Sequence, residues 1–305
     1  MPDHKAKLIV NPNADLGRAW RTVADLRSVV DELGGADWTG TVYPTHAIEL
    51  AQKAAEDGYE LVIAVGGDGT VHEVVNGLMR VPAEKRPRLG IVPLGSGNDF
   101  AHSVGMAKNA DDALRQAMKG SPRKVDVSRL QDNRGRIEYW NNTLGIGFDT
   151  TVTLRSRRVP LLSGFPVYLV AVIQTILLDN HANQLKIRTE GASWEIESLM
   201  FVTCNGGREG GGFMVSPHSR PDDGVLDFVN IKQVSRLRMF RLLPEVMRGT
   251  HLKFPEIQSG QFRTMEITAE RPMVIHTDGE IFAGYGMEIR QLNLELIPQA
   301  LEIVC

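Results

Sequence analysis

Along the first 120 residues, short β-branched apolar runs alternate with stretches whose apolar residues recur every three or four positions. Runs at 7–10, 39–43, 61–65 and 88–92 read as strands, 61–65 as one buried on both faces. Trp20, Val23, Leu26, Val30 and Leu33 mark one face of a helix that ends at Gly34-Gly35. Ile48, Leu50, Ala51 and Ala54 mark a second helix, with Thr45 placed to cap it. Val71, Val74, Val75 and Leu78 mark a third, and 111–118 a fourth. Strand–helix units of this length predict a parallel, helix-covered sheet, ending near Val127.

Beyond Val127 the pattern changes. Strand-like pieces follow one another at 137–141, 185–189, 199–204, 225–231, 262–268 and 273–276. Helical spacing returns only near 167–178 and 235–248. This predicts a mostly antiparallel β domain, a sandwich or barrel, with helical insertions. Two last apolar segments, 292–297 and 301–304, either pair inside this domain or return to the first.

Composition narrows the class. The chain has 305 residues, 42% hydrophobic and 23% charged, enough for two globular domains without staples. A net charge of −3 gives no footprint for nucleic acid. The two cysteines, Cys204 and Cys305, form no CxxC pair, and the eight histidines have no zinc-ligand spacing. The N-terminus lacks the apolar stretch of a signal peptide, so a cytoplasmic protein is expected. Residues 160–178 are apolar, but polar interruptions leave a run far short of the ~20 residues that span a bilayer, and a buried helix is expected.

Two glycine-rich loops carry the candidate chemistry. The strand at 61–65 runs into Gly66-Gly67-Asp68-Gly69-Thr70 and then a helix; the strand at 88–92 runs into Pro93-Leu94-Gly95-Ser96-Gly97-Asn98-Asp99. Glycines let a backbone approach a ligand, and a helix N-terminus suits phosphate. Asp68 would repel a bare phosphate unless a cation lies between them, which points to Mg²⁺–nucleotide. One such loop alone reads as a tight turn. Two in one parallel sheet lie on the same rim, where ligands of such folds bind. A Walker-type loop and the protein-kinase motifs are absent, and Gly145-Ile146-Gly147 lacks the third glycine of a dinucleotide site, with Thr150 in its place.

These loops, in this order and at this separation, resemble the diacylglycerol kinase catalytic-domain family, which includes sphingosine and ceramide kinases and soluble bacterial lipid kinases. The likeness extends through Asn142-Thr143-Leu144-Gly145-Ile146-Gly147-Phe148-Asp149, Asn205-Gly206-Gly207, Gly210-Gly211-Gly212, Ser216-Pro217, Pro221-Asp222-Asp223-Gly224-Val225-Leu226-Asp227, Gly249-Thr250-His251 and Thr277-Asp278-Gly279-Glu280. It implies an NAD-kinase-like α/β domain over 1–127, to which 291–305 return, and an antiparallel β-sandwich over 128–290 that takes the lipid. The active site is expected in the cleft between them. The implied activity is a transferase, an ATP-dependent lipid kinase acting on diacylglycerol or a related lipid alcohol, with a place in phospholipid biosynthesis. A kinase for a soluble acceptor such as NAD, and a nonenzymatic nucleotide-binding module, are the alternatives.

Carried over residue by residue, the resemblance assigns Asn11, Thr45, Gly66, Gly67, Asp68, Gly69, Thr70, Glu73, Ser96, Asn98 and Asp99 to ATP phosphates, the catalytic Mg²⁺ and the order of the loops. Ser96 stands where the family usually has Thr, Ala14-Asp15 follow Asn13 where it often has Ser-Gly, and His72 replaces a common Asn. Glu280 is implied as the general base, beside Asp278 and with Asp68 across the cleft. By itself, Asp278-Gly279 is a strong hairpin-turn signal. Arg220, Asp223 and Val225 are implied as a second, structural Mg²⁺ site; by itself Asp222-Asp223 reads as a solvated turn. Basic residues lie beside apolar ones at Arg155, Arg157, Arg158 and Val159, and at Arg236, Arg238, Arg241 and Arg248 among Leu237, Phe240, Leu243, Val246 and Met247. That pattern suits peripheral contact with an anionic inner membrane face or a solvated helix face. Leu161, Leu162, Phe165 and Tyr168 read as an acyl pocket or plain core, and a homodimer is a further expectation.

Overall fold

In the computed structural model, which describes residues 5–17, 19–159 and 164–305, the strand Leu61–Gly66 is buried at every position. It is β3 of a parallel sheet whose other members are β1 (Ala6–Val10), β2 (Asp37–Gly40) and β4 (Arg88–Pro93), in the order β2-β1-β3-β4. Register runs Leu8↔Ile63 and Ile63↔Gly90 through the centre. Helices α1 (Ala19–Glu32), α2 (His46–Glu56), α3 (Asp68–Leu78), α4 (Asp99–Ser103) and α5 (Ala110–Lys119) fill the connections. α1 packs on α5, and α2 on α3. Burial on both faces explains why β3 and β4 read as apolar runs. The second strand lies at 37–40 rather than 39–43, because Val42 and Tyr43 are exposed.

The chain divides into two units: Met1–Val127 with Pro298–Cys305, and Ser128–Ile297. β5 (Pro122–Asp132) and β16 (Gln291–Val304) carry the chain from one to the other. The two apolar segments expected near the C-terminus are thus one strand, with Gln299 at φ 52° and its N–H donated to Asp126 Oδ1 (2.7 Å). In the first unit, Ile303 of β16 pairs in parallel with Leu89 of β4.

The second unit contains β6 (Ile137–Trp140), β7 (Thr143–Gly147), α6 (Phe148–Ser156), α7 (Phe165–Leu178), β8 (Asn183–Thr189), β9 (Ser193–Ser198), β10 (Met200–Cys204), β11 (Leu226–Ile231), α8 (Arg236–Arg248), β12 (Ile257–Phe262), β13 (Thr264–Ala269), β14 (Ile275–Thr277) and β15 (Glu280–Ala283). One antiparallel sheet has the order β12-β11-β10-β7-β14-β15; in the other, β8 lies between β9 and β13, and β13 pairs with β16. Leu144, Phe201, Phe228, Ile267 and Leu294 from both sheets share one core, with the Phe201 and Phe228 rings stacked at 5.6 Å. The domain is a β-sandwich. Ala171, Ile176, Met239 and Leu242 of α7 and α8 pack over Val202, Cys204 and Val229 on the other face of β10 and β11.

The apolar run at 262–268 is cut at Arg263 into two strands, because Glu190 accepts the N–H groups of Arg263 and Thr264. No helix among the described residues is long and apolar enough to cross a membrane. Leu161 and Leu162 lie outside the described residues; Phe165 and Tyr168 pack partly buried against the helical core.

Phe201 is fully buried at the centre of the sandwich core. Phe201→Ala is expected to lower unfolding stability by about 3–5 kcal/mol, read by urea titration of the full chain.

Candidate active site

β3 ends at Gly66, Gly67 stands before α3 without a side-chain cap, and Asp68, Gly69 and Thr70 form the first helical turn. The loop after β4 lies directly against this turn. A Cβ on Gly95 would sit 2.3 Å from the Gly67 Cα, and the Leu94 N–H donates to Gly66 O (2.7 Å). Only glycine fits such a backbone contact. Asn98, at φ 52°, closes the second loop by accepting the Gly95 N–H (2.9 Å) and donating to Gly95 O (2.7 Å). Ser96 is exposed at the tip.

Asp68 ties the loops together. Its Oδ1 accepts the N–H of Asp99 (2.7 Å) and Phe100 (3.3 Å) at the start of α4. A Cβ on Gly97 would meet Asp68 Oδ2 at 2.8 Å and Asp99 Oδ2 at 3.0 Å, so two carboxylate oxygens converge there. Burial first and the Asp99 charge second push the Asp68 carboxyl up to about 7, against the backbone N–H donors that pull it down. Two crowded oxygen donors of this kind fit a hard cation such as Mg²⁺.

Asn11 joins the same cluster by donating to Thr70 Oγ1 (3.1 Å). Glu73 and Thr45 come together at the start of α2. Both Glu73 oxygens accept backbone N–H groups at the start of α2, from Thr45 and Ala47 (3.0 Å each), which ties α3 to the start of that helix. Thr45 sits at φ 71° and makes no side-chain cap bond, so an acid from α3 caps the helix in its stead. His72 is buried against Asn76.

In the second unit, Asp278 (φ 51°) and Gly279 (φ 81°) form the two-residue turn between β14 and β15. Two positive φ values make it the hairpin turn that Asp-Gly favours. Asp278 is buried, and its carboxylate accepts the N–H groups of Asn142 (2.8 Å), Thr143 (3.1 Å) and Asn141 (3.1 Å). These contacts anchor the turn to the segment that leads into β7. Glu280 follows with its side chain 47% exposed; Arg157, just past α6, donates to its Oε2 (2.6 Å) and to Gly279 O (3.1 Å).

Sequence reasoning missed what lies behind this turn. His276 is fully buried, with Nε2 at 2.8 Å from Asp149 Oδ2 and 3.1 Å from Glu209 Oε1, while the Gly279 N–H points at Nδ1 (3.2 Å). Burial works against a charged ring, but Glu209 and Asp149 outweigh it and push His276 up to about 10. The Gly279 N–H opposes a second ring proton, since it needs the Nδ1 lone pair. In either state Nε2–H lies between two acids. The three ligand atoms all lie within 4.8 Å of one another, and a metal there would have to displace the Nε2 proton. The sequence signals His276 only by its place two residues before Asp278, and it sets Arg157 in a basic run. Cys204 is buried near the same acids, and burial pushes its thiol up, away from reactivity.

In the loop before β11, Asp223 is exposed and its Oδ1 accepts the Val225 N–H (3.2 Å), while Arg220 Nε reaches Asp222 (3.4 Å).

The first unit is thus a parallel α/β unit with two joined glycine loops, and the second a β-sandwich unit that presents an acid on a hairpin. The diacylglycerol kinase catalytic domain matches residues 5–130, and the YegS C-terminal NAD kinase beta sandwich-like domain matches residues 142–305. The chain therefore belongs to the diacylglycerol kinase catalytic-domain family, and is a kinase. A probable lipid kinase YegS-like of Chromohalobacter salexigens is 33% identical over 236 residues, covering 76% of this chain and 73% of that one. A diacylglycerol kinase of Bacillus subtilis is 27% identical over 90% of this chain and 89% of its own length. The crystal structure of a putative diacylglycerol kinase from Bacillus anthracis superposes with a TM-score of 0.79 at 25% identity, over 99% of this chain and 96% of that one.

Because folding raises the Asp68 pKa from 3.8 to about 7, the native state holds a proton that the unfolded chain releases. Stability is expected to fall as pH rises through this window, and Asp68→Asn to flatten the decline, measured by urea unfolding at a series of pH values.

Proposed function

We propose that this kinase transfers the γ-phosphate of ATP to the hydroxyl of diacylglycerol or a related lipid alcohol. The observation that carries the proposal is the convergence of the Asp68 and Asp99 oxygens at Gly97, beside the N-terminus of α3. Backbone N–H groups of the joined loops receive the phosphates, and Asn11 and Thr70 hold the loop to its neighbour. Asp68 and Asp99 would hold Mg²⁺, which when bound neutralises phosphate charge. Phosphoryl transfer asks mainly for positioning and charge stabilisation, so this arrangement answers its main need.

Glu280 takes the proton of the acceptor hydroxyl. Its exposure leaves it open to a substrate, and the Arg157 contact fixes its direction, although a half-exposed pair of this kind adds only about 0–1 kcal/mol to stability. The lipid acceptor is supported by the names of the relatives and by the match of the second unit to their sandwich domain. Labelled ATP offered with diacylglycerol, monoacylglycerol, sphingosine, polyprenol and NAD tests the proposal. Phosphorylation of a lipid alcohol is expected; transfer only to NAD, or ATP binding without turnover, overturns it. Glu280→Gln is expected to bind ATP as before and to lose about 10²–10⁴-fold in kcat.

The loop at Arg220, Asp223 and Val225 is proposed as a structural Mg²⁺ site, with Asp223 giving a carboxylate oxygen and the other two their carbonyls. All three donors are hard oxygens, which suits this ion. Mg²⁺ is expected to raise the melting temperature of the parent, and Asp223→Ala to lower that temperature and reduce the Mg²⁺ response in thermal scans.

A further inference from the structure

α7 carries no charged side chain, and α8 carries four arginines against one acid, Glu245. The end of α7 is tied to the start of α8: Asn180 donates to Val234 O (3.1 Å), and Gln233 donates to Asn180 O (3.1 Å). Their inner faces share one apolar cluster through Val172, Ile176, Met239 and Leu242. Their outer faces carry large apolar side chains as well. Ile173, Leu177 and Leu178 of α7 and Leu237 and Phe240 of α8 are exposed, Leu178 by 61% and Leu237 by 66%. Single exposed leucines are ordinary, but five large apolar residues on two tethered helices form a patch.

The cations around this patch sort themselves. Arg238 is held by Glu256 (2.7 Å), Arg155 by Asp179 and Arg157 by Glu280, while Arg236, Arg241 and Arg248 remain exposed on α8. Arg241 and Arg248 lie seven residues apart, on the stripe that holds Leu237 and Pro244. The chain carries a net charge of −3, so this cationic face is local and does not reflect a basic protein.

We propose that the outer face of α7 and α8 docks the protein on an anionic membrane surface, the apolar side chains entering the acyl boundary and Arg236, Arg241 and Arg248 meeting anionic headgroups. The proposal takes its purpose from the lipid-kinase reading, but its evidence is the patch itself.

The test is flotation of the full chain with phosphatidylcholine vesicles and with vesicles that also carry phosphatidylserine. Binding to the anionic vesicles, weakened by salt, is expected. The double variant R236Q/R241Q is expected to lose affinity about 5-fold per arginine, roughly 25-fold in all. L177S/L178S/L237S is expected to abolish binding, while phosphorylation of diacylglycerol dispersed in detergent micelles stays at the parent level. Vesicle binding without turnover would sustain the docking face and overturn only the kinase reading. Equal binding to both vesicle types overturns the proposal, as does parent-like binding by the triple variant. Conversion of a parent dimer to a monomer by that variant, with no vesicle binding by the parent, would assign the face to a second copy of this chain and overturn it also.

Discussion

Gly67 and Gly95 meet backbone to backbone, and the chemistry of the first unit depends on that contact. A side chain on either would hold the two loops apart. With them together, the Leu94 N–H reaches Gly66, Asp68 reaches the first N–H groups of α4, and the Asp68 and Asp99 oxygens crowd above Gly97. The crowding, together with burial, holds the Asp68 pKa high. A carboxyl in that state is stabilised in its charged form by a cation, which is what phosphoryl transfer brings to such a place.

The acids of the motifs divide into two kinds according to what their oxygens already hold. Glu73 accepts two backbone N–H groups and Asp278 accepts three. Carboxylates so engaged make strong charge-assisted hydrogen bonds, and these fix α2 and the hairpin turn. Glu280 has a side-chain partner in Arg157 and remains half exposed. Its direction comes from the residues around it: Asp278 pins one side of the turn to the segment before β7, and His276, gripped by Asp149 and Glu209, lies under the other.

The second unit buries one strand pair on both faces. β10 and β11 have the sandwich core on one side and α7 and α8 on the other, so their side chains alternate between two apolar environments. Those helices are thereby packed on one side only. Their outer residues are not set by the core, and Arg241 and Arg248 follow the same stripe of α8 as Leu237.

How much of this was legible depended on whether the cause was local. The parallel strands, their helices, the β-rich second half and the two glycine loops follow from apolar periodicity and from residues that break it, and these are properties of neighbours in the chain. β7, β9 and β12 were missed because TLGIG, SWEIES and IQSGQF carry glycine or polar residues that only pairing on both sides makes into strands. α6, with three threonines in nine residues, has no strong apolar face to announce it. The residue chain by itself determined which acids and glycines stand at strand ends. Tertiary structure alone decided which acids serve as caps, because the N–H groups that Glu73 and Asp278 accept lie 26 to 28 and 135 to 137 positions away. A hydrogen bond between residues so distant leaves no periodicity to read.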